Sequence, residues 1–399
     1  MTGLARIEEA RRWLRDRLPL APGHALFLAL VLLTPYARLY ANFYYILLLI
    51  PFLLLLDARD GRALAGSWVL RFALAYLGLL WLSSFWTPDT PPQQILRLGR
   101  HILANFSFIA VTAWLVARDQ GHVARLCRSL AGAAVITALV SLWLFHVEGH
   151  QPHGWRLTAW LWPNPNTAGA VFGLACVAAA AGSTPAAGPA LLRRLALVAA
   201  TVLAVAVALT GSRSALAGIA ASGLAWLILG RTWRQPGGRA VAASAVVGLA
   251  VAGWITTDEW LARGDNGRLE LWSHFWAVGW QRPWLGWGLR QDLAFTIANG
   301  LHTDDPHSML LETLMRTGML GVLAWGGAII AGLVAGYRHW RRHGGFAPLG
   351  LTIYLATQGI FESAVPINPP DWFWILLWIP VGIAAGVEVS PTDRGRPAR

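Results

Sequence analysis

The sequence of 399 residues is 56% hydrophobic and only 13% charged, and its mean hydropathy is +0.48. Soluble domains carry about 25% charged residues, so this composition excludes an ordinary soluble enzyme and predicts an integral membrane protein. The 32 basic residues other than histidine are all arginine. Their net charge of +12 does not require a nucleic-acid partner, because membrane proteins collect such charge in their loops.

Apolar runs of roughly 17–25 residues predict an all-α fold with about twelve membrane-spanning helices. Their approximate centres are Leu30, Leu48, Leu77, Ile109, Leu139, Gly173, Val202, Gly218, Val247, Ala328, Leu355 and Leu377. Apart from one long loop before the tenth span, the predicted connections are short.

Seven arginine-rich segments occur in alternate connections and at both termini. They are "RIEEARRWLRDR", "DARDGR", "ARDQGHVARLCR", "LLRR", "GRTWRQPGGR", "YRHWRRH" and "DRGRPAR". All seven fall on one side of the membrane if both termini are cytoplasmic, which is the positive-inside pattern. The unusual polar residues then collect on the outer side, where we expect the function to reside.

The spans and loops divide the chain into five predicted parts. These are a cytoplasmic amphipathic segment (1–23), spans one to nine (24–256), a large outer loop (257–306), spans ten to twelve (307–389) and a cytoplasmic tail (390–399). Connections longer than about 15 residues are usually functional, so the outer loop is the best candidate for shaping a site.

Within the large loop, Leu269, Trp272, Trp276 and Trp280 recur at helical spacing. This pattern predicts an amphipathic helix that rests at the membrane interface. The alternative is that the same tryptophans pack against the spans.

Two arginines on the outer side are candidates for binding an anion. Arg213 lies in "TGSRSA", between two spans with hardly any loop, and positive-inside logic disfavours arginine there. Arg290 follows the glycine-punctuated turn "PWLGWGL". Either arginine could instead be an interfacial anchor.

The stretch "HTDDPHSMLLETLMRTGMLG" begins the tenth span. We expect Asp304 or Asp305 to cap the helix, Pro306 to occupy its first turn, and His307 to fall in that turn. A histidine there is a candidate general base, since imidazole titrates in the useful range. The alternative is a histidine that bonds only water or lipid, and Glu312 is expected on a different helical face.

Two histidine-containing segments leave a metal site open. His302, Asp304, Asp305 and His307 form one set, and the other is "HVEGHQPH" at 146–153. Neither has a recognised zinc spacing, and the sequence has no glycine-rich nucleotide loop or spaced nucleophile–histidine arrangement.

The motif order on the outer side resembles the O-antigen ligase family. The motifs "WPNPNTAG", "TGSRSA", "NGRLELW", "PWLGWGL" and "PHSMLLETLMRTGMLG" carry this resemblance over roughly residues 154–325. This chain has Ser308 where the family usually has asparagine, and Arg316 where it usually has an acidic residue.

The resemblance implies an architecture like that of the GT-C glycosyltransferases and an inverting, metal-independent reaction without a cofactor. The implied donor is O-antigen on undecaprenyl diphosphate, and the acceptor is a sugar hydroxyl of lipid A–core at the periplasmic face of the bacterial inner membrane. It also implies that His307 is the base and that Arg213 and Arg290 bind the diphosphate. Arg268, Arg156 and Asn166 are further candidates for substrate contacts, although Asn164 and Asn166 are also placed to cap the following span.

Three alternative functions share parts of this pattern. An O-antigen polymerase and a protein O-oligosaccharyltransferase of the same superfamily would use the same donor and base. A transporter would instead carry polar residues deep within its spans and show an internal repeat. Here the unusual charges gather at one interface, which favours a transferase.

Overall fold

A computed structural model of the chain describes residues 18–88, 90–184, 189–230, 264, 267–298, 300, 302–362 and 367–390. Within these ranges the protein is mostly helical, and one short hairpin pairs Phe295–Thr296 with His302–Thr303 in antiparallel register. The all-α prediction is therefore confirmed for the part of the chain that the structure describes.

Among the residues that the structure describes, eight helices are long and apolar enough to cross a membrane. They are α2 (Ala37–Leu55), α4 (Trp68–Phe85), α5 (Pro92–Arg118), α6 (Gly121–His146), α7 (Pro165–Gly182), α8 (Ala190–Thr210), α9 (Arg213–Gly230) and α11 (Met309–His343). Three shorter apolar helices are α1 (Leu20–Leu33), α12 (Ala347–Phe361) and α13 (Trp374–Val389). Two further helices are α3 (Ala58–Ala65) and α10 (Arg268–Gln281).

Eleven of the twelve predicted span centres fall on these apolar helices. The ninth, at Val247, lies outside the described residues, as do the helix expected over 4–18 and most of the tail at 390–399. Because three of the eleven helices are shorter than a typical span, the count of twelve spans and the five-part division stay predictions.

Helices α7, α9 and α12 pack closely around one tyrosine. The hydroxyl of Tyr354 donates a 2.8 Å hydrogen bond to the carbonyl of Ala170, and its ring lies against Gly173 and Gly218. A Cβ on either glycine would overlap that ring. Small residues allow such close approach where lipid removes the hydrophobic driving force between helices. This packing brings the start of α7, the start of α9 and the end of α12 to the same end of the bundle.

One end of the bundle, the Asp60 end, is held by segments that the sequence assigns to the cytoplasmic side. Arg118 donates a 2.5 Å hydrogen bond to Asp60, and Ser67 donates one of the same length to Glu388. These contacts join the first turn of α3 to the end of α5, and the start of α4 to the end of α13.

The opposite end, the Glu362 end, joins segments that the sequence assigns to the outer side. Arg268 donates a 2.9 Å hydrogen bond to Glu362, and the N–H of Leu289 donates a 3.0 Å hydrogen bond to the hydroxyl of Ser83. At each end of the bundle, all the bonded segments belong to one predicted side of the membrane. This grouping agrees with the arginine pattern. Which end faces the cytoplasm stays a prediction.

Candidate functional site

The Glu362 carboxylate is the centre of the candidate site. Its Oε1 accepts hydrogen bonds from the guanidinium of Arg268 at 2.9 Å and from the hydroxyl of Ser214 at 3.3 Å. Its Oε2 lies 4.0 Å from Nδ1 of His307. The three partners come from the starts of α10 and α9 and from the loop before α11, so this carboxylate joins three separate parts of the chain.

His307 precedes α11 and does not lie in its first turn, so that expectation was wrong. The helix begins at Met309, and its cap is Ser308, whose side chain accepts from the N–H of Leu311. Asp305 does not cap the helix; its Oδ1 instead accepts a 2.7 Å hydrogen bond from the N–H of His307. Serine caps a helix as well as aspartate does. Because Ser308 is the cap, the helix begins at Met309, two residues after His307.

The backbone of His307 is held in the left-handed region with φ of 50°, which is the only positive φ of a non-glycine residue within the described ranges. That conformation is uncommon for residues with a Cβ. Contacts on both sides hold it: Trp272 donates a 3.0 Å hydrogen bond to the carbonyl of Pro306, and Met309 N–H donates to the carbonyl of Glu362 at 3.1 Å. Strain held in this way is typical of functional positions.

The imidazole of His307 has two carboxylates beside one of its nitrogens. Its Nδ1 lies 3.6 Å from Oδ2 of Asp305 and 4.0 Å from Oε2 of Glu362. Both distances exceed a hydrogen bond, but they place the acceptors on the Nδ1 side of the ring. The side chain is 35% exposed. The arrangement suits a ring that keeps a proton on Nδ1 and leaves Nε2 available to a substrate.

The guanidinium of Arg268 bonds to two neighbouring residues at the end of α12. Besides its bond to Glu362, its guanidinium donates a 2.7 Å hydrogen bond to the carbonyl of Phe361. Its side chain is 24% exposed, so one edge is still open. Arg268 therefore holds the central carboxylate in place.

Arg213 is the first residue of α9 and follows the tight turn at Gly211. It is exposed, and its guanidinium donates a 2.7 Å hydrogen bond to the carbonyl of Gly264 in the large loop. The next residue, Ser214, bonds to Glu362, so the backbone of Arg213 lies beside the central carboxylate. The structure thus brings Arg213, Arg268 and His307 to one end of the bundle.

Arg156 and Asn166 bond to each other next to the same turn. The guanidinium of Arg156 donates to Asn166 at 2.5 Å and to the carbonyl of Thr210 at 2.8 Å. Asn164 caps α7 by accepting from the N–H of Asn166 at 2.8 Å, which confirms its predicted capping role. Asn166 is therefore the partner of Arg156 and does not cap the helix.

Arg290 lies outside this hydrogen-bonded cluster. It is exposed, and it makes no hydrogen bond or ion pair with any described residue. Its neighbours are fixed, however, because Leu289 bonds to Ser83 and the carbonyl of Gln291 accepts from Arg316. The segment therefore holds the backbone of Arg290 while leaving its side chain free to meet a ligand.

Comparison with known proteins supports the resemblance found in the sequence. Residues 195–326 match the family model described as O-antigen ligase. The chain is also 29% identical over 355 residues to the O-antigen ligase of Pseudomonas aeruginosa, an alignment that covers 86% of this chain and 84% of that protein. The resemblance to the O-antigen ligase family is confirmed.

The O-antigen ligase match contains four of the candidate residues, and Arg156 and Asn166 precede it. Arg213, Arg268, Arg290 and His307 all fall within it, whereas Glu362 lies beyond its end. Sequence reasoning missed Glu362. The available signal was an acidic residue directly after an apolar span, since a charge in that position is costly and often functional.

Two residues of the first set considered for metal binding have other partners. No group of three histidine, cysteine, aspartate or glutamate side chains is placed to hold a metal among the described residues. His302 pairs with the hydroxyl of Thr296 at 2.8 Å, and Asp304 pairs with Arg316 at 3.2 Å.

Helix α10 confirms the helix predicted in the large loop and refines its faces. Leu269, Trp276 and Trp280 are exposed, whereas Phe275 on the opposite face is fully buried. Trp272 turns inward and bonds to the carbonyl before His307. Trp272 therefore packs against the rest of the protein, and the interfacial position of the exposed Trp276 and Trp280 stays a prediction.

Proposed function

We propose that this protein is a glycosyltransferase of lipopolysaccharide biosynthesis. It transfers O-antigen polysaccharide from undecaprenyl diphosphate to a sugar hydroxyl of lipid A–core at the periplasmic face of the inner membrane. The observation that carries the proposal is the convergence of His307, its carboxylate neighbours and the arginine-bearing starts of α9 and α10 at one end of the bundle. The family match supports the same reaction.

The arginines supply the site for the donor. A polyprenyl diphosphate is an anion fixed at the membrane surface, and guanidinium groups bind phosphate oxygens through paired hydrogen bonds. Arg213 and Arg290 are both exposed, so their side chains can reach a donor that approaches from lipid. The exposed Leu269, Trp276 and Trp280 of α10 support a position of this helix at the membrane interface.

His307 supplies the base for the acceptor. Its Nε2 takes the proton of the acceptor hydroxyl while that oxygen forms a bond to the anomeric carbon of the donor sugar. The bond from this carbon to the diphosphate breaks, and undecaprenyl diphosphate leaves with the electron pair. Attack opposite the leaving group inverts the anomeric centre. Asp305 and Glu362 orient the ring from the Nδ1 side.

Charge stabilisation by arginine makes a metal unnecessary in this mechanism. Diphosphate is already a good leaving group, and preorganised cations stabilise the charge that develops on it. Arg213 and Arg268 bring two guanidinium groups to this end of the bundle, which suits an anionic substrate.

Deletion of the encoding gene tests the function directly. The expected phenotype is loss of long-chain lipopolysaccharide together with accumulation of lipid-linked O-antigen. A single repeat that remains attached to the core would identify a polymerase instead. Normal lipopolysaccharide with a loss of glycosylated protein would identify a protein O-oligosaccharyltransferase.

A further inference from the structure

Helix α11 is broken at Gly318, and the segment Pro283–Gly288 fills the break. Gly318 has φ of 66° and ψ of −164° in the middle of the helix. The N–H groups of Trp287 and Gly288 donate to the carbonyls of Met315 and Arg316 at 2.7 and 3.1 Å. Across the break, the N–H of Met319 donates to the carbonyl of Pro283 at 2.6 Å. The inserted segment thus takes over hydrogen bonds that an unbroken helix would make internally.

Glycine is required where the two backbones meet. A Cβ on Gly286, whose φ is 66°, would lie 2.5 Å from the carbonyl oxygen of Met315. A Cβ on Gly318 would overlap the backbone of Trp284. Gly286 of "PWLGWGL" and Gly318 of "LMRTGMLG" therefore serve one contact, which brings the segment before Arg290 against the helix that follows His307.

Arg316 lies at this contact with its whole guanidinium engaged. Its side chain is only 6% exposed. Nε donates to Glu312 at 3.0 Å, Nη1 donates to the carbonyl of Gln291 at 2.5 Å, and Nη2 donates to Asp304 at 3.2 Å. One side chain therefore links α11, the residue after Arg290 and the loop that leads to His307.

We infer that Arg316 is a positioning residue that fixes Arg290 and His307 relative to each other. This inference rests on the proposed function, in which Arg290 binds the donor and His307 activates the acceptor. Reaction between two substrates requires that the groups holding them keep a fixed separation, and errors of about 1 Å can cost about 10²-fold in rate. Arg316 meets this need because its planar fork can bind three acceptors on three segments at once.

Hydrogen exchange of the detergent-solubilised full chain tests the positioning directly. In Arg316→Met, amide exchange should accelerate about tenfold or more in both 289–292 and 303–308, because both links are lost. Trp287 and Gly288 should stay protected, since their acceptors are backbone carbonyls. In Asp304→Ala, which removes the acceptor of Nη2, only 303–308 should change.

Two further variants separate positioning from charge and from general damage. Glu312→Gln perturbs the same buried cluster but leaves the links to Gln291 and Asp304, so both loops should exchange as in the wild type. Arg316→Lys keeps the positive charge but has no planar fork, so it should not restore protection to both loops together. The inference would be overturned if Arg316→Lys restored wild-type amide exchange in both loops. It would also be overturned if Glu312→Gln accelerated exchange as much as Arg316→Met does.

A double-mutant cycle measures the consequence for the donor. Binding of undecaprenyl diphosphate should weaken about tenfold in Arg316→Met. In an Arg290→Ala background, the same change should add less than about twofold, because the residue being positioned is gone. If the losses of affinity in the two single variants add in the double variant, Arg316 does not act through Arg290. That result would overturn the part of the inference that concerns Arg290.

The two readouts distinguish failure of the inference from failure of the proposed function. If Arg290→Ala alone leaves binding of undecaprenyl diphosphate unchanged, the proposed donor site is wrong. The exchange rates of 289–292 and 303–308 still decide whether Arg316 holds the two segments, since that measurement uses no substrate.

Discussion

Nδ1 of His307 lies 4.0 Å from Oε2 of Glu362, and the backbones of the two segments are joined by a 3.1 Å hydrogen bond from Met309 N–H to the carbonyl of Glu362. The start of α11 and the end of α12 are therefore fixed to each other beside the imidazole. Arg268 and Ser214 hold the same carboxylate from the other side. A carboxylate held in this way can fix the orientation of the ring.

Glu362→Gln should slow transfer without weakening donor binding. The amide keeps an oxygen that can accept from Arg268 and Ser214, but it removes the negative charge beside Nδ1. We expect turnover to fall by about 10²-fold, because a base that loses its orienting carboxylate becomes a poor one. Purified-component transfer is the assay, and Glu148→Gln on an exposed loop is the control. Unchanged turnover would show that Glu362 has only a structural role.

Alanine at Arg213 or Arg290 should weaken donor binding as well as turnover. Their proposed contact with the diphosphate exists in both the ground state and the transition state. Lysine at either position should restore only part of the affinity, because it lacks the bidentate fork. The measurement is the dissociation constant for undecaprenyl diphosphate, with Arg282→Ala on the same loop as control. Wild-type affinity in both alanine variants would place the diphosphate elsewhere.

Transfer should continue in excess EDTA. The proposed mechanism assigns charge stabilisation to guanidinium groups, which a chelator does not remove. Activity is measured with purified protein before and after chelation and after addition of single divalent cations. Loss of activity with EDTA and recovery with one specific cation would assign a metal to the site and revive His302, Asp304 and His307 as candidate ligands.

Single cysteines should label from opposite sides of the inner membrane. Ser273→Cys and Asp292→Cys lie at exposed positions of the Glu362 end and should react with an impermeant reagent from the periplasm. Arg59→Cys at the Asp60 end should react only after the membrane is permeabilised. The reverse pattern would place the site in the cytoplasm and contradict the proposed donor and acceptor.

Much of the fold could be predicted because lipid imposes simple rules on sequence. A span must be apolar and about 20 residues long, and arginine collects on one side, so both patterns are visible without a structure. Eleven of the twelve predicted centres fall on apolar helices for this reason. The cap of α11 was misplaced, because aspartate and serine both cap helices well and composition does not choose between them.

The site was only partly predictable, because its geometry depends on contacts between distant segments. His307 and the arginines stand out as polar residues on the outer side. Glu362 becomes recognisable only when α12 brings it beside Arg268 and His307. Arg316 looks like a departure from the family pattern in the sequence, and its three partners appear only in the folded chain.

The most direct test compares transfer and donor binding in His307→Asn. Asparagine tolerates the left-handed backbone found at this position, so the loop should keep its shape while losing its base. We expect transfer to fall by about 10²–10⁴-fold, while the dissociation constant for undecaprenyl diphosphate stays within about twofold of the wild type, since the base does not touch the donor in the ground state. Near-normal transfer, or a loss of donor binding as severe as in Arg290→Ala, would contradict the assignment of His307 as the base.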